Sequence, residues 1–370
     1  MNTENILMEV LDDCEQVEYN LEEIERNFEA IKDTLSHFVK SVKTKCYEIE
    51  PLYIKYFFTA RSEVALKKTL KLSMDVQVRL CARSVRSYIT PDKSQVCFEV
   101  ENKMPRVVTL REVFGAPIQN YNENGLYLTV GKQGNKAINC DLTTTPHILV
   151  AGATGSGKSV FVSQALLSLV ARYSPEKLNL AIMDVKGVEY GAFKGLKHLI
   201  NGKIKTSEEE IETTLENLVL EMERRYQLIA EAHVKNIQKY NEQTSASVPY
   251  IVVVIEEFAE LMSCLPKKFT NNLQRLLQMG RGVGIHLILS SQRVYTLNKY
   301  PQIKALIPAR VVLRLASVVD SLVVINTAEA SKLIGRGDAL YVTLKDGVTR
   351  VATPYVSYEE INAYKKELLD

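Results

Sequence analysis

Apolar residues recur at three- and four-residue intervals through the first part of the chain. Leu7, Val10, Cys14, Val17, Leu21, Ile24, Phe28, Ile31, Leu35, Phe38 and Val42 follow one another without an intervening Gly or Pro, among mostly acidic neighbours. A seam sustained over so many heptads predicts one long amphipathic helix over 1–48, with the narrow apolar edge of a coiled-coil element. Such a helix pairs with another helix, in a partner or in this chain, or lies on its own domain.

The pattern then changes. Residues 53–58 read as a strand, 62–75 as a helix, and 83–88 and 95–100 as strands, which makes a small α+β module over 49–119. Its basic residues, Arg61, Lys67, Lys68, Lys71, Arg79, Arg83 and Arg86, form a solvated helix face or a surface for nucleic acid. A polar stretch rich in Gly and Asn, 120–139, reads as a connection. From Pro146 onward, strand patterns at 148–151, 180–183, 250–255, 285–290 and 309–315 alternate with helical ones, notably a long charged helix over 207–232. A loop, 244–249, precedes the third strand. This alternation predicts an α/β domain over 120–370 built on a parallel sheet.

Composition narrows the picture little. The 370 residues are 46% hydrophobic and 24% charged, with a formal net charge of +2, so any basic surface for nucleic acid is local. The six cysteines are scattered with no C-x-x-C pair, which argues for reduced thiols rather than a disulfide framework or zinc site. The apolar run 250–255 is too short to span a bilayer, and the acidic N-terminus is unlike a signal peptide. A cytoplasmic location without membrane insertion is expected.

The chemistry concentrates at Gly152-Ala153-Thr154-Gly155-Ser156-Gly157-Lys158-Ser159, a complete G-x-x-x-x-G-K-[ST] loop with an apolar strand before it and a helical pattern after it. Its glycines let backbone N–H groups turn inward around phosphates, and the following helix N-terminus, with Val160 in its first turn, adds partial positive charge. Lys158 is expected to reach the β- and γ-phosphates of ATP, and the Ser159 hydroxyl to ligate Mg²⁺. Downstream, the apolar strand Val252-Val253-Val254-Ile255 ends in Glu256 and Glu257. The first acid is expected to hold the metal and the second to polarise the attacking water. Asp184 ends another strand at the carboxyl edge of the sheet, where it assists the metal or an adjacent turn. Gln292 closes the 285–290 strand as a candidate γ-phosphate sensor. Arg281, between Gly280 and Gly282, suits a finger reaching a neighbouring subunit's phosphate.

Together these residues resemble the FtsK/SpoIIIE family of DNA-translocating ATPases. The resemblance rests on the extended loop from Pro146-His147 to Ser159, on Asp184-Val185-Lys186, on Glu256-Glu257-Phe258-Ala259-Glu260-Leu261, and on the spacing from Arg281 to Gln292-Arg293. Ile307-Pro308-Ala309-Arg310 and Gly335-Arg336-Gly337-Asp338 continue it. It covers roughly 51–353. It implies a RecA-like P-loop NTPase motor preceded by the small α+β domain, assembled as a hexameric ring around double-stranded DNA, with Arg281 acting in trans. The family's DNA-touching loops map to the segments holding Lys194, Lys197, Lys299 and Lys304. A conjugation or replication coupling ATPase, or an ATP-binding DNA scaffold without processive movement, is the alternative, and the N-terminal helix is the expected attachment for a protein partner. The chain is expected to be a short soluble member, without the family's membrane spans or winged-helix domain, that serves a plasmid, phage or conjugative element. Glu256 departs from the family, which usually has aspartate there; its extra methylene is expected to alter metal geometry and slow hydrolysis.

Overall fold

The computed structural model describes residues 3–13, 15, 17–90, 92, 94–244 and 247–369. Cys14 of the N-terminal stripe and residues 245 and 246 of the predicted loop lie outside the described residues.

The stripe is carried by two helices, α1 (Thr3–Val10) and α2 (Leu21–Phe38), and not by one. Tertiary contacts stop α1. The Arg111 guanidinium donates to the carbonyls of Met8 and, at 2.9 Å, Leu11, satisfying acceptors that a continuing helix would have used. The backbone N–H of Asp12 donates to the Glu360 carboxylate. α2 starts afresh at Asn20, whose side chain accepts from the N–H of Glu23, with Glu22 and Glu23 placed favourably in the first turn. The predicted helix also runs too far, because 43–49 form a strand.

After α2 come β1 (Lys43–Ile49), β2 (Tyr53–Thr59), α3 (Glu63–Leu70), α4 (Ser73–Leu80), β3 (Val85–Ile89) and β4 (Gln95–Glu101). The strands form an antiparallel sheet in the order β1-β2-β4-β3. Ile24, Ile31 and Leu35 of α2 join Leu66 of α3 and Val76 of α4 over Tyr56, Phe58 and Phe98 on one face of that sheet. The α2 apolar edge is therefore used within this module.

Next come α5 (Leu110–Phe114), β5 (Tyr127–Gln133), β6 (Lys136–Asp141), β7 (His147–Ala151), α6 (Lys158–Arg172), β8 (Leu178–Met183), α7 (Glu208–Glu231) and α8 (Ile237–Thr244). They are followed by β9 (Tyr250–Ile255), α9 (Phe258–Cys264), α10 (Lys267–Met279), β10 (Ile285–Ser291), α11 (Pro301–Ala305) and β11 (Ala309–Leu313). The last elements are α12 (Val318–Ile325), β12 (Asp338–Thr343), β13 (Gly347–Ala352) and α13 (Tyr358–Leu369).

A nine-stranded sheet runs β6-β5-β13-β12-β11-β7-β10-β9-β8. The five predicted strands are its parallel part, and β12, β13, β5 and β6 extend it antiparallel. The stretch 120–139, read as a connection, supplies most of the β5–β6 hairpin, which turns at Gly134 in the left-handed region (φ 57°). Alternation along β7 sends Ile148 and Val150 to one face and Leu149 and Ala151 to the other. α6 packs on the first face; α7, α9 and α10 pack on the second. α1 joins the first face too: Leu7 is fully buried, and Thr3 Oγ1 donates to the Ala171 carbonyl at 2.6 Å. Burying one leucine stabilises a fold by about 2 kcal/mol.

The small sheet meets the large one through buried charges. Arg350 of β13 donates to Asp338 of β12 at 2.6 and 2.8 Å and to Glu99 of β4 at 2.9 Å, and its guanidinium lies 4.0 Å from the centre of the Tyr53 ring. Arg86 of β3 bridges Glu99 and Glu329. Burial works against the Glu99 charge, but Arg350 and Arg86 outweigh it and hold the carboxyl below its ordinary range. Among the described residues, no helix is long and apolar enough to cross a membrane.

Candidate functional site

The parallel strands order as β11-β7-β10-β9-β8, so the reversal in chain order lies between β7 and its neighbours. Ligands bind outside the carboxyl ends of strands at such a point. The predicted phosphate loop leaves β7 there. Gly155 (φ 74°) and Gly157 (φ 102°) adopt left-handed backbone, and a Cβ at Gly155 would meet nothing within 4 Å. Gly157 precedes α6 with no side-chain cap, leaving the first N–H groups of that helix open to an anion. The loop is braced by neighbours: the N–H of Ala153 donates to the Arg314 carbonyl at 2.9 Å, and Gly157 abuts Gly337. Thr154 is exposed, Ser156 buried, and Ser159 and Val160 half-buried.

Lys158 is buried under this loop. Its ammonium donates to the Glu256 carboxylate and, at 2.9 Å, to Ser290 Oγ, and lies 3.4 Å from Glu257 Oε1. The other Glu256 oxygen accepts from the Tyr190 hydroxyl at 2.6 Å. Burial, and then the Glu256 carboxylate, push the Tyr190 phenol well above its ordinary value, so it stays a donor. Glu257 sits at φ 50°, ψ 39°, in left-handed backbone before α9. That turn gives the consecutive acids different surroundings: Glu257 Oε2 accepts from the Gln292 N–H at 3.0 Å. The Gln292 side chain in turn accepts from Thr154 Oγ1 at 2.9 Å, linking the end of β10 to the phosphate loop.

Asp184 is also buried at this edge. Its carboxylate accepts from the N–H groups of Lys186 and Glu189 at 3.1 and 3.0 Å, folding the turn that delivers Tyr190 to Glu256. Tyr190 and Ser290 escape sequence reasoning as site residues. A second serine hydroxyl ending an apolar strand was a usable signal for Ser290; Tyr190 had none, because it reaches Glu256 only through the folded turn.

Among the described residues, three buried polar atoms at this edge have no hydrogen-bond partner: Ser156 Oγ, Ser291 Oγ and Glu257 Oε1, the last in an ion pair with Lys158 only. Orphaned oxygens, an inward lysine and uncapped helix N–H groups are the donor and acceptor set that a triphosphate with a hydrated divalent cation would satisfy. A cavity of about 290 Å³ beside the loop is lined by Val107, Val108, Val160, Pro354 and Tyr355 with Gly155 and Gly157.

The remaining predicted residues lie elsewhere. Arg281 is exposed at the amino end of β10, where its Nε donates to the Thr143 carbonyl at 3.3 Å. β10 runs parallel to β7, so roughly 20 Å of strand separates Arg281 from the carboxyl edge that holds Lys158. Lys194 and Lys197 are exposed on the segment beside the edge strand β8, and Lys299 is exposed between β10 and β11. Lys304 is half-buried, and burial followed by the neighbouring Arg310 lowers its pKa.

Comparison with known proteins agrees with this architecture. Residues 109–296 match the model of the FtsK/SpoIIIE family. The chain is 33% identical over 351 residues to a DNA translocase FtsK of Halalkalibacterium halodurans, covering 91% of this chain and 44% of that protein. It is 36% identical over 351 residues to the DNA translocase FtsK of Campylobacter jejuni, covering 93% and 36% respectively. The chain thus spans less than half the length of these relatives. Among solved structures, the pCW3 conjugation coupling protein TcpA, in a monomer form with ATPγS, superposes with a TM-score of 0.64 at 23% identity, over 93% of this chain and 99% of that one. With the family's region running from the small module's end through the phosphate loop to β10, the chain belongs to the FtsK/SpoIIIE family of P-loop ATPases.

Proposed function

We propose that this chain is a cytoplasmic ATP-driven motor that moves double-stranded DNA, working as a ring of identical subunits, six in number. The observation that carries this reading is the pairing of one complete edge with one incomplete one. Lys158, Glu256, Glu257 and Gln292 converge on the phosphate loop, while Arg281 is exposed at the opposite edge of the same sheet. Such an arginine serves a nucleotide only in a neighbouring subunit, as stacking around a ring provides. The names of the relatives, DNA translocase FtsK, support DNA as the cargo.

In this reading Lys158 leaves Glu256 to neutralise phosphate charge, and the N–H groups of 154, 155 and 157–160 cradle the phosphates, those of Ala153 and Ser156 being held within the protein. Ser159 and Glu256 hold Mg²⁺, which when bound offsets charge on the phosphate oxygens. Glu257 orients and polarises the attacking water. Gln292, bonded to both Glu257 and Thr154, registers the state of the phosphate and passes it to 293–307. The apolar cavity against Val160 and Tyr355 suits a purine ring. Lys194, Lys197, Lys299 and Lys304 contact DNA phosphates without regard to sequence.

The test measures ATP turnover with and without duplex DNA, followed by displacement of a triplex-forming strand. Turnover stimulated by duplex and abolished in Lys158→Ala, together with displacement, is expected. Active hydrolysis without displacement would sink translocation in favour of an ATP-binding scaffold. Stimulation by single-stranded DNA alone would favour a coupling role like that in the name of TcpA, which shares the fold.

A further inference from the structure

Tyr190 is fully buried, yet its hydroxyl finds a partner in the carboxylate that is hydrogen-bonded to the phosphate-loop lysine. The two Glu256 oxygens are divided between these partners: Oε1 accepts from Lys158 and Oε2 from Tyr190. Glutamate has one more rotatable bond than aspartate, so its carboxylate wanders unless both oxygens are held. A phosphate that draws Lys158 away removes one restraint. Tyr190 lies on a different element, in a turn folded by Asp184, so its bond to Glu256 does not run through Lys158.

We infer that Tyr190 is a positioning residue for Glu256, a phenol clamp that keeps the long side chain at metal-holding reach when Lys158 swings to the nucleotide. An aspartate at 256 would be about 1.5 Å shorter and could not span to the phenol from the same backbone. Tyr190 and the glutamate thus work as a matched pair. This rests on the reading of Glu256 as the acid that holds Mg²⁺.

The competing account is that Tyr190 is core packing whose hydroxyl bonds the nearest acceptor. Tyr190→Phe separates the two, because it keeps the ring and removes only the donor. Binding of a fluorescent ATP analogue is titrated with Mg²⁺ and, separately, measured in EDTA, alongside kcat, KM and melting temperature. We expect the Mg²⁺ needed for half-maximal binding to rise about tenfold and kcat to fall by a similar factor, the size usual for losing a group that orients a metal ligand. Binding in EDTA and KM at saturating Mg²⁺ stay as in the unsubstituted protein. In a Glu256→Asp background, Tyr190→Phe changes neither the Mg²⁺ requirement nor kcat. A change confined to melting temperature, or effects of the two substitutions that simply multiply, overturns the clamp. If the unsubstituted protein binds the analogue with no dependence on Mg²⁺, the reading of Glu256 fails first and takes the clamp with it.

Discussion

Lys158 and Glu256 form a hydrogen-bonded ion pair buried beneath the phosphate loop, the lysine from the start of α6 and the glutamate from the end of β9. Each charge is about 4% exposed, so neither is compensated by water. In the proposed cycle an incoming phosphate competes with Glu256 for the ammonium and releases the oxygen that Lys158 held, while Tyr190 keeps the other.

Glu256→Gln removes the charge and keeps the shape. It removes the nearer of two buried carboxylates from Lys158, leaving Glu257 Oε1 at 3.4 Å, so the cost is below the roughly 3–5 kcal/mol of a lysine stripped of every partner. The melting temperature of the nucleotide-free protein is expected to fall. ATP in EDTA is expected to raise it more than it raises that of the unsubstituted protein, since phosphate supplies the missing negative charge. Thermal melts with and without ATP in EDTA check this; equal shifts in both proteins would contradict it.

Arg281 and Lys158 stand at opposite edges of one sheet, so their loss should be separable between subunits. Arg281→Ala is expected to bind ATP normally and turn it over at least tenfold more slowly. Mixing it with inactive Lys158→Ala subunits should restore part of the turnover, because interfaces form that contain an intact loop and an intact arginine. Activity of the mixture no higher than the separate variants would place Arg281 outside the reaction.

Leu7 is packed into the core of the large sheet and not held out for a partner. Leu7→Ala is expected to cost about 2–5 kcal/mol, seen as a lower midpoint in urea unfolding. A helix that served only recruitment would leave the midpoint unchanged.

His286, buried in β10, donates through Nδ1 to the Pro146 carbonyl, its pKa held down to about 4 by burial, then by Arg225 and Arg281 despite that bond. His147 beside it is held down to about 3 by burial and by His286. An unfolded histidine takes up its proton near 6.5, above these folded values, so the unfolded chain binds more protons in between. Stability is therefore expected to decline as pH falls from about 6.5 toward 4, by about 3 kcal/mol for His286 alone. His286→Asn, which can keep a donor toward Pro146, should flatten the slope of unfolding free energy against pH between 7 and 5. An unchanged slope would assign the pH dependence to other groups.

Local order was written plainly in the chain. The glycines of 152–157 dictate the left-handed turns that open the phosphate loop, and the periods of the flanking segments dictate strand before and helix after. The five parallel strands, α7 and the stripe of α2 follow from spacing alone, because a 2- or 3.6-residue period is a property of neighbours. Tertiary structure decided what depends on residues far apart. Arg111 and Glu360, each roughly a hundred or more positions from α1, end that helix where the seam alone would carry it on. The antiparallel strands β5 and β6 pair with each other and are held in place by the pairing of β5 with β13 and by packing on α6, against a local composition that reads as loop. Tyr190 meets Glu256 across 66 positions because Asp184 folds the turn between them, and Arg281 stands apart from Lys158 because a whole strand separates the two edges. Periodicity fixes which face of an element is apolar; only the packed molecule decides what that face, or a side chain at its end, will touch.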